Sequence, residues 1–140
     1  TKLKTEFEQE KTILLDRYTT SSLIYQSALI ENPHNKKAFL NYVTDFEYNK
    51  RGIRKPDQVI FLHAPFELIN QLRAKRTTNE GVANDIHEQN LTFMRKVYQN
   101  AMSIANYFNW EKVDCATPDG TKMRSVQDIH TEIYRRLTKI

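Results

Sequence analysis

The chain has 140 residues, of which 39% are hydrophobic and 27% are charged, a balance typical of a folded domain and unlike that of a disordered chain. Its net charge of +4 favours anionic ligands. A nucleic-acid binder usually concentrates its charge on one face with interleaved aromatic residues, whereas Lys and Arg are spread along this sequence, so we expect no nucleic-acid partner. No apolar run approaches the roughly 18 residues of a membrane helix, so we expect no membrane partner, and the single Cys115 excludes an internal disulfide and is typical of a cytoplasmic location.

The first third of the chain has helical spacing on both sides of one short strand-like segment. Leu3 and Phe7 are spaced as in a helix that is already under way. Thr12 to Leu15 is aliphatic without polar alternation, which predicts a buried strand. Two helices should follow, separated at Pro33 because proline interrupts a helix interior; they are Ser22 to Glu31 and Lys36 to Tyr48.

Two more segments have the composition of buried strands. They are Gln58 to Ala64 and Lys112 to Ala116, both short and rich in β-branched or aliphatic residues. Pro65 follows the first of them and suits the first turn of a helix. We therefore predict a helix over "PFELINQLRAKR", residues 65–76.

A long helix is predicted from about Asp85 to Asn106. Its apolar residues recur at steps of three, four or seven and so share one face; they are Ile86, Phe93, Val97, Ala101, Ile104 and Phe108. The last helix, Ser125 to Leu137, begins with S-V-Q-D, which resembles a capping box with Asp in place of the usual Glu or Gln.

Strands that alternate with helices predict an α/β fold, in which a parallel sheet is flanked by helices. Three strands are few for such a sheet, so we expect further strands to precede this sequence. The predicted organisation is a single domain over residues 1–140, present as the C-terminal three-strand portion of the sheet.

A charged pair, Asp16 and Arg17, follows the first predicted strand. Ligands of open α/β sheets gather at the carboxyl ends of the strands, where Asp can face a hydrated magnesium ion and Arg can grip a phosphate. Ser21 and Ser22 fall at the start of the next helix, where hydroxyls and free N–H groups suit a polar ligand. The alternative is that the pair ends a strand at the surface and that Ser21 caps a helix.

Four segments, in order, resemble the thymidylate kinase family. "LLDRYTTSSLIYQS" is similar to the family's D-R-[YH]-x-x-S-x-x-A-Y-Q segment, with Ile24 where many members have Ala. "GIRKPDQVIFLHAPFELINQLRAKR" resembles a G-x-x-P-D strand and the helix that ends in Lys-Arg. "NDIHEQNLTFMRKVYQNAMSIANYF" resembles the D-x-x-E helix after the lid, and "WEKVDCA" with "SVQDIHTEIYRRL" resembles the last strand and helix. The resemblance implies the fold of P-loop nucleoside monophosphate kinases.

The resemblance implies an acceptor site for dTMP in the first of these segments. Arg17 would clamp the dTMP phosphate as a catalytic residue, and Asp16 would contact Mg²⁺ through water. Ser22 would bond the thymine edge, with Ser21 and Gln26 in the same pocket. Tyr25 would pack on the deoxyribose where a 2′-hydroxyl would project; the alternatives for Tyr25 and Gln26 are ordinary helix positions.

On the donor side, the resemblance places Arg76 against the adenine of ATP and Arg73 one helical turn earlier. The loop from Ala116, with Thr117, to Asp119 would approach the adenine edge through its backbone. Residues 77–84 would form the lid, anchored by Asp85 and Glu88. For Arg73, Asp85 and Glu88, the ordinary preference of charges for helix ends is an equally good explanation.

Three departures from the family pattern matter. The lid segment, residues 77–84, has no arginine, whereas many bacterial members use arginines there; removing such a charge costs roughly 10³ to 10⁵ in rate. His63 replaces the usual Asp, and a lone His is more often packed or solvent-facing than a ligand. The phosphate-binding G-x-x-x-x-G-K-[ST] loop is absent from this sequence, so we expect the chain to be the C-terminal part of a longer enzyme and to be inactive alone.

The expected activity of the intact protein is phosphoryl transfer from Mg-ATP to dTMP, giving dTDP, by a homodimer. Two alternatives stay open. One is a deoxynucleoside kinase of similar fold, and the other is a homologue that binds nucleotide, or a partner protein, without catalysis.

Overall fold

A computed structural model of the chain describes residues 2–9, 11–78 and 87–138. The chain forms two compact units, one over Thr1–Arg51 and one over Gly52–Ile140. Each unit is built from different elements, and the predicted charged pair and the predicted sheet fall in different units.

The first unit is helical in its described residues. Its elements are α1 (Lys2–Glu8), α2 (Thr19–Ser27), α3 (Pro33–Thr44) and a π-helix (Asp45–Lys50) that continues α3. The helical spacing of Leu3 and Phe7 is confirmed, since both residues lie in α1. The two helices predicted on either side of Pro33 are confirmed, with α2 beginning three residues earlier than expected.

Local capping explains where α3 begins. Pro33 occupies its first turn, where a missing N–H has no intrahelical partner in any case. The side chain of Asn32 accepts hydrogen bonds from the backbone N–H groups of His34, at 2.9 Å, and Asn35, at 3.1 Å. Proline therefore starts this helix as well as separating it from α2, and Leu23 of α2 and Leu40 of α3 supply the buried apolar side chains.

The prediction of a buried strand over Thr12 to Leu15 is wrong. These residues form no strand, and Leu14 is 77% exposed. A strand needs a neighbouring strand to pair its backbone N–H and C=O groups, and within the described residues none pairs with this segment. Aliphatic composition predicts a residue's tendency to be buried but does not supply that partner.

The second unit contains the sheet. Strands β1 (Ile60–His63) and β2 (Glu111–Asp114) are parallel, with registers running from Ile60 opposite Glu111 to His63 opposite Asp114. The α/β class with a parallel sheet flanked by helices is confirmed. The sheet has two strands among the described residues in place of the three that were predicted.

Three helices accompany this sheet: α4 (Phe66–Thr78), α5 (His87–Tyr107) and α6 (Val126–Leu137). The predicted apolar face of α5 is confirmed at Val97, Ala101 and Ile104, which are all buried, whereas Ile86 lies outside the described residues. Val113 of β2 is fully buried as well. Among the helices that the structure describes, none combines the length and the apolar character needed to cross a membrane.

Candidate functional site

Arg17 has an unusual backbone conformation at the start of the candidate acceptor site. Its φ is +66°, in the left-handed region that residues with a side chain rarely adopt. Such a conformation costs about 1–3 kcal/mol and persists where surrounding contacts determine it, often at functional positions. Arg17 and its neighbour Asp16 are both exposed, so this turn is held by neighbouring contacts and not by burial in the core.

The side chain of Arg17 lies along α2. Its Nε donates a hydrogen bond to Oγ of Ser21 at 3.3 Å, and its guanidinium carbon lies 5.6 Å from the ring centroid of Tyr25. Ser21 and Tyr25 are four residues apart and so lie on one face of α2. The contact with Ser21 uses Nε–H, and the two terminal nitrogens of an arginine are the ones that grip a phosphate in a bidentate fork.

Ser22 and Gln26 lie on the adjacent face of the same helix. Each follows its neighbour in the pair Ser21 and Tyr25 by one residue, and both are exposed. The structure thus brings Arg17, Ser21 and Tyr25 into contact and places Ser22 and Gln26 beside them. All five residues predicted to bind dTMP therefore lie along one helix and the turn that precedes it.

A hydrogen bond between two hydroxyl groups lies at the start of α2. Oγ1 of Thr19, the first residue of the helix, is 2.8 Å from the phenol oxygen of Tyr48 in the π-helix. Burial, followed by the proximity of Tyr48 and of Glu47, raises the pKa of the Tyr18 phenol. Tyr18 is therefore neutral at physiological pH.

The residues predicted to bind ATP lie in the second unit. Arg73 is half-buried near the end of α4, and the backbone of Arg76 lies one turn later in the same helix. Thr77 and Thr78, predicted as the start of the lid, complete α4. The rest of the predicted lid, residues 79–84, lies outside the described residues, as does its anchor Asp85.

The second lid anchor, Glu88, lies in the first turn of α5, where a carboxylate is favoured by the helix dipole. The structure describes its backbone only. The anchoring roles of Asp85 and Glu88 stay predictions.

The loop that follows β2 has a defined conformation. Ala116 and Met123 form an antiparallel bridge, and the Thr117 N–H donates to the Lys122 carbonyl at 2.8 Å. The carboxylate of Asp119 accepts hydrogen bonds from the Thr117 hydroxyl at 2.6 Å and from the Thr121 N–H at 3.1 Å. These bonds, that of the Thr117 hydroxyl first, lower the pKa of Asp119.

Hydrogen bonds within this loop limit its predicted contact with adenine. Because the Thr117 N–H is already bonded within the loop, a backbone donor for the adenine edge would have to come from another residue of the loop. Gly120 makes the turn with φ +73°, a conformation that glycine adopts without strain.

An ion-pair network, defined here as Arg124, Glu132, Arg136 and Glu111, joins this loop to α6. Arg124 Nη1 donates to the Asp114 carbonyl at 2.6 Å and to Glu132 at 2.6 Å. Arg136 donates to both Glu132 and Glu111. The network fixes the last residue of β2 and the residue that follows the loop relative to α6.

His63, at the carboxyl end of β1, also has two partners. Its Nδ1 is 2.8 Å from Oδ1 of Asp114, and its Nε2 is 3.0 Å from the Tyr98 hydroxyl. An Asp in this position would stand next to the carboxylate of Asp114, whereas His can donate to it. The replacement is therefore compatible with its neighbours, and the role of His63 in this structure is to join β1, β2 and α5.

Comparison with known protein families shows to which family this chain is related. The family model described as "Thymidylate kinase" matches residues 1–133 of this chain. The chain belongs to the thymidylate kinase family. A curated thymidylate kinase of Limosilactobacillus fermentum (strain NBRC 3956 / LMG 18251) is 31% identical over 134 residues, which cover 96% of this chain and 58% of that relative. The search of solved structures found no match.

Family membership confirms the resemblance that was inferred from the four segments. The chain spans about three fifths of the length of the curated relative that it matches. The roles of individual residues remain predictions.

The donor groups of this thymidylate kinase homologue are compatible with magnesium that arrives with a nucleotide. Among the described residues, no group of three or more His, Cys, Asp or Glu side chains could enclose a metal ion. Asp16 instead offers one exposed carboxylate beside Arg17. Magnesium in kinases is commonly held by substrate phosphates and one or two carboxylates with several waters, and a single carboxylate fits that mode.

Three features of this site were not predicted from the sequence. They are the bond between Thr19 and Tyr48, the contacts of His63, and the bond from Arg124 to the Asp114 carbonyl. Each joins residues that are distant in sequence or that lie in irregular segments. The left-handed Arg17 had one local signal: it sits between a segment with strand composition and a helix, where the chain has to turn.

Proposed function

We propose that the intact protein transfers the γ-phosphoryl group of ATP to dTMP. An oxygen of the dTMP phosphate forms a bond to the γ-phosphorus, the bond between that phosphorus and the β,γ-bridging oxygen breaks, and dTDP and ADP leave. The observation that carries the proposal is the arrangement of Arg17, whose guanidinium lies at the start of α2 against Ser21 and Tyr25.

Arg17 is proposed to hold the acceptor phosphate. A guanidinium presents paired donors that match the spacing of phosphate oxygens. Its side chain lies along α2, near Ser21 and Tyr25, and the Nε bond to Ser21 limits its rotation. In phosphoryl transfer, catalysis is mostly positioning and charge compensation, and both are properties of a held guanidinium.

The helix surface next to Arg17 is proposed to bind the nucleoside. Ser22, Ser21 and Gln26 offer hydroxyl and amide groups for the thymine edge, and the exposed ring of Tyr25 offers an apolar face for the deoxyribose. A sugar with a 2′-hydroxyl would bring a polar group against that ring. The proposed preference for deoxynucleotides follows from that contact.

On the donor side, Arg73 and Arg76 are proposed to lie against adenine, and the loop with Ala116 and Thr117 to approach its edge. A guanidinium stacks favourably on an aromatic base. Mg²⁺, bound to the nucleotide phosphates and reached by Asp16 through water, would neutralise phosphate charge. Asp85 and Glu88 are proposed to anchor the lid.

Calorimetric titration of the intact protein with ATP and dTMP, each alone, tests the proposal. Both nucleotides should bind, and dTMP should bind better than thymidine because the phosphate faces Arg17. Arg17→Ala should weaken dTMP binding about 10- to 100-fold, the loss of a charge-assisted pair of hydrogen bonds. Arg54→Ala, which removes an exposed arginine paired with Asp57, is the matched control and should bind dTMP normally.

Two outcomes would favour the alternatives. Tighter binding of thymidine than of dTMP would favour a deoxynucleoside kinase, and absence of nucleotide binding would favour a non-catalytic homologue. Normal dTMP affinity in Arg17→Ala would reject the role proposed for Arg17.

The assembly and location of the protein are also proposals. A homodimer is proposed from the family resemblance, and sedimentation of the intact protein at equilibrium measures it directly. A cytoplasmic location is proposed from the single, buried Cys115, since a reducing compartment keeps such a thiol free.

A further inference from the structure

The start of α2 lacks the usual side-chain cap. Its N-cap residue, Tyr18, makes no side-chain hydrogen bond to the free N–H groups of the first turn, although Ser, Thr, Asp or Asn commonly does so. The backbone directly before it, at Arg17, is in the disfavoured left-handed region. Some other contact must therefore hold this turn.

The hydroxyl of Tyr48 provides such a contact. It lies 2.8 Å from Oγ1 of Thr19, which is the first residue of α2 and stands two positions after Arg17. The bond is part-buried and joins residues 29 positions apart, so it connects α2 to the π-helix that continues α3. Tyr48 also raises the pKa of Tyr18, after the larger effect of burial.

The π-helix accounts for the position of Tyr48. Residues 45–50 continue α3 with hydrogen bonds five residues apart, including the Arg51 N–H to the Phe46 carbonyl at 2.8 Å. A wider turn rotates the side chains that follow Thr44 away from the directions they would have in a continued α-helix. π-helical turns are rare and occur frequently at functional sites.

We propose that Tyr48 is a positioning residue for phosphate binding: its hydroxyl bond to Thr19 fixes the first turn of α2 and thereby holds Arg17 where its guanidinium meets the acceptor phosphate. The inference rests on the function proposed above. It assigns no contact between Tyr48 and a nucleotide, because Tyr48 acts through Thr19.

Kinetics of the intact protein test this inference with paired variants. Tyr48→Phe and Thr19→Val each remove one hydroxyl and keep the side-chain size. Each should raise the KM for dTMP about three- to tenfold, the usual effect of one lost hydrogen bond, and leave the KM for ATP unchanged. The double variant should be no worse than either single variant, because both remove the same bond.

Two controls separate positioning from general stability. Thr19→Ser keeps the hydroxyl and should behave like the wild type. Tyr42→Phe removes a hydroxyl from an exposed tyrosine of α3 that stacks on Phe46, and it should leave both KM values unchanged. An unchanged KM for dTMP in Tyr48→Phe, or an equal rise in both KM values, would overturn the inference.

A measurement without catalysis distinguishes this inference from the proposed function. Solvent exchange of the Arg17 Nε–H, followed by NMR, reports its bond to Ser21 whether or not dTMP is the substrate. Faster exchange in Tyr48→Phe and Thr19→Val would support the positioning role, and unchanged exchange would overturn it. Failure of the wild type to bind dTMP would overturn the proposed function, while the exchange rates would still decide whether Tyr48 holds the turn.

Discussion

Glu132 is expected to be the residue on which the attachment of α6 depends most. Its carboxylate accepts hydrogen bonds from Arg124 Nη1 at 2.6 Å and from Arg136 Nη2 at 2.5 Å and Nε at 3.1 Å, and its side chain is only 17% exposed. Glu132→Gln removes the charge and directs an amide donor towards arginines that are themselves donors. We therefore expect a loss of stability without a change of fold.

The surviving contacts limit the size of this loss. Arg136 keeps Glu111 at 2.9 Å, and Arg124 keeps the Asp114 carbonyl at 2.6 Å. The cost should therefore lie between that of an exposed pair, about 0.2–1 kcal/mol, and that of breaking a buried pair, about 3–5 kcal/mol. We expect about 2 kcal/mol, which with a typical urea dependence of about 2 kcal/mol per molar lowers the unfolding midpoint by about 1 M.

Urea unfolding of the intact protein measures this effect against a matched control. Asp57→Asn makes the same chemical change in an ion pair with Arg54, in which the charged atoms are 3.6 Å apart and the side chains of Arg54 and Asp57 are 52% and 85% exposed. Because this pair is exposed, the unfolding midpoint of Asp57→Asn should remain near that of the wild type. Equal midpoints for Glu132→Gln and Asp57→Asn would show that the network does not stabilise α6.

The difference in unfolding midpoint between the wild type and Glu132→Gln should depend on pH, because folding changes the pKa of the Glu132 carboxyl. Hydrogen bonds from Arg124 and then from Arg136 lower the pKa of Glu132 from its ordinary value of 4.5. At pH values between the unfolded-state and folded-state pKa of Glu132, the unfolded state binds more protons than the folded state. The stabilisation that Glu132 provides is therefore present above pH 4.5 and is lost as the pH falls through the folded-state pKa. The gap between wild type and Glu132→Gln should narrow as the pH falls from about 5 towards about 2; a gap that widens would contradict the reasoning.

Two further predictions concern single side chains of the second unit. Ser125→Ala should lower the free energy of unfolding by about 1 kcal/mol, because Ser125 Oγ accepts the Asp128 N–H at 3.1 Å; Ser125→Asp, which can still accept that bond, should unfold in urea near the wild-type midpoint. Iodoacetamide should alkylate Cys115 at least about tenfold more slowly in the native protein than in urea. The reason is that burial raises the pKa of the thiol and that only 6% of the residue is exposed. Equal alkylation rates, measured by mass spectrometry, would show that the thiol is accessible in the native protein.

The helices of this chain were predictable because their signals are local. The apolar period of α5 placed Val97, Ala101 and Ile104 on a buried face, and Ser125 was identified as the cap of α6 from the residues next to it. Each of these signals depends on residues within one or two helical turns. Neighbours in sequence remain neighbours in the fold, so such patterns need no knowledge of the tertiary structure.

The strand over Thr12 to Leu15 failed for the opposite reason. Strand formation depends on a partner segment, and composition describes only one of the two. In the two strands that did form, Ile60–His63 and Glu111–Asp114, paired residues such as His63 and Asp114 are 51 positions apart. Their pairing shows that the strand signal is reliable only when the partner is also present.

The sequence by itself determined the family, the order of most helices and the set of residues along α2 that is proposed to bind dTMP. Only the tertiary structure decided how Arg17 is held, that Tyr48 reaches Thr19, and that His63 bonds to Tyr98 and Asp114. Those last three bonds join residues 29, 35 and 51 positions apart. A hydrogen bond requires placement to within a few tenths of an ångström, and for residues this distant that placement is set by how whole helices and strands pack.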